Sequence, residues 1–235
     1  MKDCAVKYGA GYMDYDLFEM YNLTPEQRDT YLTRGRNNAL VVKYNDKAYT
    51  GQFDDKVQFN TLFGKYLHRD WVPVTGDNRE QVMAFLAAHE VFMAKPSQGS
   101  CGWGIEKLRR ADYPSLDALY DYLVQRAPKL ELEEVLEQHP QVSAIYPGSI
   151  NTVRMVTIRG KHGKVYLASE AAQVIPQVGY VGWDVCFTPN GPCLVEGNPF
   201  PGHDIYQLPV HTPDKIGIMP RFREIEAEEK MMNEE

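Results

Sequence analysis

The spacing of apolar and polar positions divides the chain into short helices and strands. From Asp14 to Thr33 the period is helical: Leu17, Phe18 and Tyr21 form one apolar stripe. Thr24-Pro25-Glu26-Gln27 has the form of a capping box that opens a second helix through Tyr31 and Leu32. Phe53-Asp54-Asp55-Lys56 leads into Phe59, Leu62, Phe63 and Leu67, a helix that ends near His68. Trp71–Val74 predicts a short strand, Val82–Ala88 a helix, and Val91–Lys95 a buried strand. Ser115 caps an amphipathic helix to Gln125 that carries Leu116, Leu119, Tyr120 and Leu123.

Beyond it, Leu130–Leu136 alternates at first and then runs apolar, as a strand does. Ile150–Ile158 predicts another strand, and Val165–Ala168 its partner after the turn Gly160-Lys161-His162-Gly163. Ser169–Ile175 is barely two helical turns before Pro176. Gly182–Phe187, the turn Pro189-Asn190-Gly191-Pro192 and Cys193–Glu196 read as a β-hairpin. Past Pro201-Gly202-His203-Asp204 periodic cues are few, and Glu224–Glu235 reads as a frayed acidic tail.

Composition narrows the class. With 235 residues, 43% hydrophobic and 24% charged, the chain can bury one large core or two small ones. Its net charge of −7 argues against a general nucleic-acid binder, although a basic pocket for an anion remains compatible with it. No apolar run approaches a membrane span of about 20 residues, and Met1-Lys2-Asp3-Cys4 does not read as a signal peptide. Cys4, Cys101, Cys186 and Cys193 lack metal-type spacing, so reduced thiols in a cytoplasmic protein are the expectation.

Chemistry concentrates in three places. The hairpin sets Asp184 beside Glu196, with Asn198 two residues on; two carboxylates and an amide oxygen suit Mg²⁺ shared with a nucleotide's phosphates. Lys95 ends an apolar strand directly before Pro96-Ser97-Gln98-Gly99-Ser100-Cys101-Gly102-Trp103-Gly104, where three glycines free backbone N–H groups to face an anion. No Gly-Lys-Ser/Thr follows and the exit is a strand, which excludes a Walker A loop. Arg154, in mid-strand, is either paired with a carboxylate or aimed at a phosphate. Glu133 and Glu134 read equally as ribose or adenine contacts and as a solvated acidic edge.

Taken in order, these pieces resemble the ATP-grasp superfamily, and within it the sugar-transfer-associated group, related to α-L-glutamate ligases, found with bacterial surface-polysaccharide genes. The matching segments are Asp55-Lys56-Val57-Gln58-Phe59-Asn60, Ala94-Lys95-Pro96 with Gly99–Ile105, Glu133-Glu134-Val135 with Gln138-His139, Ser149–Arg154, Tyr180–Asp184, and Glu196-Gly197-Asn198 with Pro201–Asp204. The resemblance implies an α+β fold in which two α+β subdomains clamp ATP, with a helical N-terminal extension. It divides the chain into a helical scaffold (1–50), a small α/β region (51–92), the ATP-grasp domain (93–210) and a C-terminal tail (211–235).

The same resemblance implies Lys56, Lys95, Gly99, Ser100, Gly102, Gly104, Glu133 and Glu134 around ATP. Asp184, Glu196 and Asn198 would hold one or two Mg²⁺, or Mn²⁺ in their place. Arg154 and Lys95 would act on the transferring phosphoryl group, and His203 and Asp204 would stand at the acceptor. The implied reaction joins a carboxylate to an amine or to a sugar-type hydroxyl acceptor through an acyl phosphate, releasing ADP. In the family a longer segment with an Arg-x-Gly pattern separates the strand matching Val165–Ala168 from the helix before Gly179; here Glu170-Ala171-Ala172 joins almost directly. Two readings stand: an omitted loop, or a nucleotide binder that has lost part of its acceptor site.

Overall fold

The computed structural model describes residues 1–99, 102–126, 130–159 and 170–232. The expected Gly160–Gly163 turn, the strand over Val165–Ala168, and Ser100 and Cys101 lie outside the described residues. In chain order the helices and strands are α1 (Lys2–Tyr8), α2 (Tyr12–Leu17), α3 (Pro25–Asp29), α4 (Arg34–Tyr44), α5 (Lys47–Asp54), α6 (Lys56–Phe63), β1 (Trp71–Val74), α7 (Arg79–Ala88), β2 (Val91–Pro96), β3 (Glu106–Arg109), α8 (Leu116–Arg126), β4 (Leu130–Glu134), α9 (Pro140–Ser143), β5 (Thr152–Ile158), β6 (Tyr180–Thr188), β7 (Gly191–Asn198) and α10 (Met219–Met232). The composition of helices and antiparallel strands is α+β, as expected. Among the described residues no helix is long and apolar enough to cross a membrane.

The chain forms two compact units. The first gathers Met1–Tyr49, Val156–Gly182 and Pro199–Glu235. Its first core packs Cys4, Ala10, Phe18, Met20, Leu23 and Tyr31. The capping box at α3 is formed as expected: Thr24 Oγ1 accepts from Gln27 N, and Gln27 Oε1 accepts from Thr24 N. A second core joins Leu32, Leu40, Ile158 and Tyr180 to Phe222 and Ile225. Those last two correct the expectation of a frayed tail, because α10 extends to Met232. Two buried anchors three residues apart hold the start of a helix in which charged residues predominate, and that is too thin a stripe to stand out in sequence.

The second unit comprises Thr50–Met155 and Trp183–Asn198. Its four-stranded sheet runs β1-β4-β2-β3, every pair antiparallel. One face carries Val72, Val74, Phe92, Ala94, Leu130 and Leu132, which pack with Val82, Phe85 and Leu86 of α7 and Leu119 and Leu123 of α8. Burying each such side chain contributes roughly 1.5–3 kcal/mol, so this face makes the sheet rigid. Alternation then puts Met93, Lys95, Glu131 and Glu133 on the opposite face, in the register Met93↔Glu133 and Lys95↔Glu131.

A three-stranded sheet runs β5-β6-β7. The β6–β7 hairpin turns at Pro189-Asn190, so Gly191 and Pro192 of the expected turn already belong to β7, and its Trp183 joins Phe53, Phe59 and Phe63 in an aromatic cluster, with Phe59 and Phe63 stacked at 4.5 Å. Gly197 lies against this cluster: a Cβ there would stand 3.0 Å from an atom of each of Phe53, Phe59 and Trp183. Gly197→Ala should therefore overpack the joint and cost about 1–3 kcal/mol. A urea titration against Gly191→Ala, which meets nothing within 4 Å but sits at φ +116°, would separate crowding from backbone strain.

Candidate active site

The polar face of the four-stranded sheet holds a buried ionic network. Lys95 Nζ donates to Glu133 Oε2 at 2.5 Å, and Arg69 grips the same carboxylate with Nε to Oε2 at 2.9 Å and Nη2 to Oε1 at 3.1 Å. Asn60, on α6, donates its amide to Glu131 Oε2 and Glu133 Oε1, each at 3.0 Å. Burial would raise the Glu133 carboxyl, but the Arg69 and Lys95 charges outweigh it and hold it down at about 2. Glu131, fully buried, is driven the other way, to about 8, first by burial and then by the charge of Glu133. Among the described residues its Oε1 has no hydrogen-bond partner.

The sign of the resulting pH effect follows. A carboxyl whose folded value lies above its ordinary 4.5 contributes stability that is fully present below 4.5 and lost as pH rises through about 8. Thermal midpoints measured across that window should fall with rising pH in the wild type. They should fall less in Glu131→Gln, which keeps the shape and has no proton to lose.

Lys56 enters this face from the first turn of α6. Asp55 caps the helix, its Oδ1 accepting from Val57 N and Gln58 N. Lys56 N donates to Ser97 O at 2.8 Å and its Nζ to Gly99 O at 2.9 Å, so the lysine holds the entry to the glycine-rich hairpin between β2 and β3. Gly99, Gly102 and Gly104 have φ of 120°, 73° and 73°, a region that side-chain-bearing residues rarely adopt. At Gly104 a Cβ would also lie 2.9 Å from Pro96 Cγ. Trp103 stands exposed between the last two glycines.

The third group lies on β5, β6 and β7. Arg154 Nε donates to Asp184 Oδ1 at 2.6 Å and its Nη2 to Oδ2 at 2.9 Å, a bidentate clasp. The Glu196 carboxyl is raised, first by burial and then by the charge and hydrogen bond of Asp184, while Lys56 and Arg154 oppose the shift. A carboxylate on β6 beside a raised carboxyl on β7, with Asn198 on the same strand as the latter, forms a donor set of hard oxygens that a divalent cation would suit. Among the described residues there is no group of three His, Cys, Asp or Glu for a metal, so the corner rests on two acids and an amide. The Lys56 charge opposes part of the upward shift of both Glu131 and Glu196.

No protein-family model matches the chain, and no curated protein matches it. Among solved structures it is similar to the ATP-grasp ligase PsnB, complexed with minimal precursor, Mg and ADP, at 17% identity and a TM-score of 0.50 over 80% of this chain and 62% of that one. The chain has the ATP-grasp fold. It is also similar to the D-alanine–D-alanine ligase of Coxiella burnetii, at 14% identity, TM-score 0.47, over 66% of this chain and 50% of that one. The chain thus spans about half the length of that ligase and less than two thirds of PsnB.

Within this ATP-grasp fold, Lys56, Lys95, Gly99, Gly102, Gly104, Glu133, Arg154, Asp184, Glu196 and Asn198 all belong to the second unit. The two open readings of Arg154 and of the Glu133–Glu134 pair meet definite partners. Arg154 is paired with Asp184. Glu133 is neither a solvated edge nor open to a ribose, because its oxygens face Arg69, Lys95 and Asn60. Glu134 Oε2 accepts from Asp70 N at 3.0 Å.

His203 and Asp204 fall in the first unit. His203 is buried with Nε2 2.8 Å from Asp14 Oδ1, and the half-buried Asp204 accepts from Ile205 N at 3.0 Å through Oδ1, so each has a structural partner. Burial would raise Asp14, but the hydrogen bonds from His203, Arg34 N and Gly11 N bring it below its ordinary value. Reading the sequence missed Arg69, Asn60 and Glu131. The signal for Glu131 was its place one alternation from Glu133 on a strand.

Proposed function

We propose that the chain is an ADP-forming, Mg²⁺-ATP-dependent ligase that activates a carboxylate for attack by an amine or hydroxyl, acting in surface-glycan modification. The observation that carries this reading is the gathering, in one unit, of a lysine-bearing sheet face, a glycine-rich hairpin held by Lys56 and an acid pair on β6 and β7. The ATP-grasp fold and the Mg and ADP present with PsnB support it. The glycan context rests on the resemblance of the segments named above to the sugar-transfer-associated group.

In this reading Asp184, Glu196 and Asn198 hold Mg²⁺, which when bound neutralises phosphate charge. Lys95 and Lys56 draw the phosphates to the glycine-rich hairpin, whose backbone N–H groups need no side chain to face an anion. Arg154 turns from Asp184 towards the γ-phosphate. A substrate carboxylate oxygen attacks the γ-phosphorus, an O–P bond forms, and the bond to the β–γ bridging oxygen breaks to release ADP. The acceptor amine then attacks the acyl carbon, loses a proton, and inorganic phosphate departs. Positioning and positive charge suffice for such a transfer, and no Ser-His-Asp arrangement is required.

The short junction favours a second reading, ATP binding without ligation. Ser169 lies outside the described residues, and from Glu170 the chain makes one 3₁₀ turn to Gln173 before β6. A coupled ADP-release assay over pools of carboxylates and amines separates the two. Acceptor-dependent turnover supports the ligase, whereas Mg²⁺-dependent ATP binding with no turnover supports the binder.

A further inference from the structure

Arg69 follows α6 in a stretch, His68-Arg69-Asp70, that reads in sequence as an ordinary polar loop. Its side chain is nevertheless 1% exposed. A guanidinium taken out of water must be matched at every donor, and here the matching has two halves. One half is the bidentate grip on Glu133, the carboxylate that also holds Lys95. The other half reaches β7: Nη1 donates to Leu194 O at 2.7 Å and Nη2 to Val195 O at 3.4 Å, with Cys193 Sγ 3.6 Å from Nη1. A remaining contact closes on Leu67 O at 3.4 Å.

The β7 contacts are to main-chain carbonyls of the two residues directly before Glu196. They therefore fix the path of the strand that presents the metal-corner acid. The same planar group fixes the carboxylate that aims Lys95. We propose that Arg69 is a positioning residue that sets the metal corner in register with the phosphate-binding lysine, making Mg²⁺ and nucleotide binding cooperative. The inference rests on the proposed function and deepens it. Lysine could keep the charge opposite Glu133, but a point ammonium cannot also span to both carbonyls, so Arg69→Lys removes the bridge and leaves the ion pair.

The test is calorimetry with ATP, with and without Mg²⁺, on the full chain and two variants. One variant is Arg69→Lys. The other is Arg69→Met with Glu133→Leu, which replaces the buried pair by apolar groups and is commonly tolerated by a fold. In the wild type Mg²⁺ should tighten ATP binding by about tenfold or more. In Arg69→Lys that enhancement should shrink to roughly twofold or less while ATP still binds, and both variants should still melt cooperatively, the double variant showing that the fold does not need the buried pair. A purely structural arginine would lower the melting midpoint and leave the Mg²⁺ enhancement at its wild-type value, and that result overturns the inference alone. A wild type whose ATP binding ignores Mg²⁺ overturns the proposed function, and the inference with it.

Discussion

Replacing Glu196 by Gln should remove the Mg²⁺ dependence of ATP binding, weakening the metal by at least about 100-fold if loss of a direct carboxylate exceeds the 10–100-fold cost of losing an outer-shell partner. The amide keeps the length of the side chain and one oxygen, so the change is one of charge. Its effect on stability should run the other way. Glu196 is raised by burial and by Asp184, but the residue is exposed on β7, so solvent screens the effect and its ionised form opposes folding only weakly at neutral pH. Gln relieves that repulsion, and the metal-free variant should melt no lower than the wild type. A pair of acids held together against their mutual repulsion is a stability cost retained for a ligand. Calorimetry paired with melting curves reads both signs. A Gln variant that melts well below the wild type would assign Glu196 to the scaffold.

Glu133→Leu should be the most damaging single change in the second unit. It strips Arg69 and Lys95 of their shared counterion and leaves one acceptor fewer for Asn60. Breaking a buried pair from one side costs about 3–5 kcal/mol, against a typical domain stability of about 5–15 kcal/mol. Urea denaturation should therefore show a midpoint close to or inside the native baseline. Adding Arg69→Met should recover part of the loss, since no guanidinium then remains buried without a partner while Lys95 still lacks its counterion. If the double variant were as unstable as the single one, the network would owe its stability to packing and not to charge balance.

How much of this could be read from residues alone depended on sequence distance. The capping box at Thr24–Gln27 and the β6–β7 hairpin are local, set by contacts a few residues apart, and both appear where the pattern puts them. The Asp184 and Glu196 side chains that interact stand on the two strands of that hairpin. Arg69 was hidden because its partners Glu133 and Leu194 lie 64 and 125 positions away. Leu130-Glu131-Leu132-Glu133 reads as a half-solvated strand, yet its first four residues are buried, because α6 brings Asn60 onto the face that alternation assigns to water. The burial of His203 was hidden for a similar reason. Its buried partner Asp14 lies 189 residues earlier, and nothing in Pro201-Gly202-His203-Asp204 reveals it.

The central claim is that one unit of this chain holds ATP through Lys95, the glycine-rich hairpin and a cation at Asp184 and Glu196. Calorimetric titration of the full chain with ATP, in excess Mg²⁺ and again in a metal chelator, tests it most directly. The account predicts saturable binding with Mg²⁺ that weakens by about tenfold or more without it. No binding, or binding of equal affinity in both conditions, would contradict it.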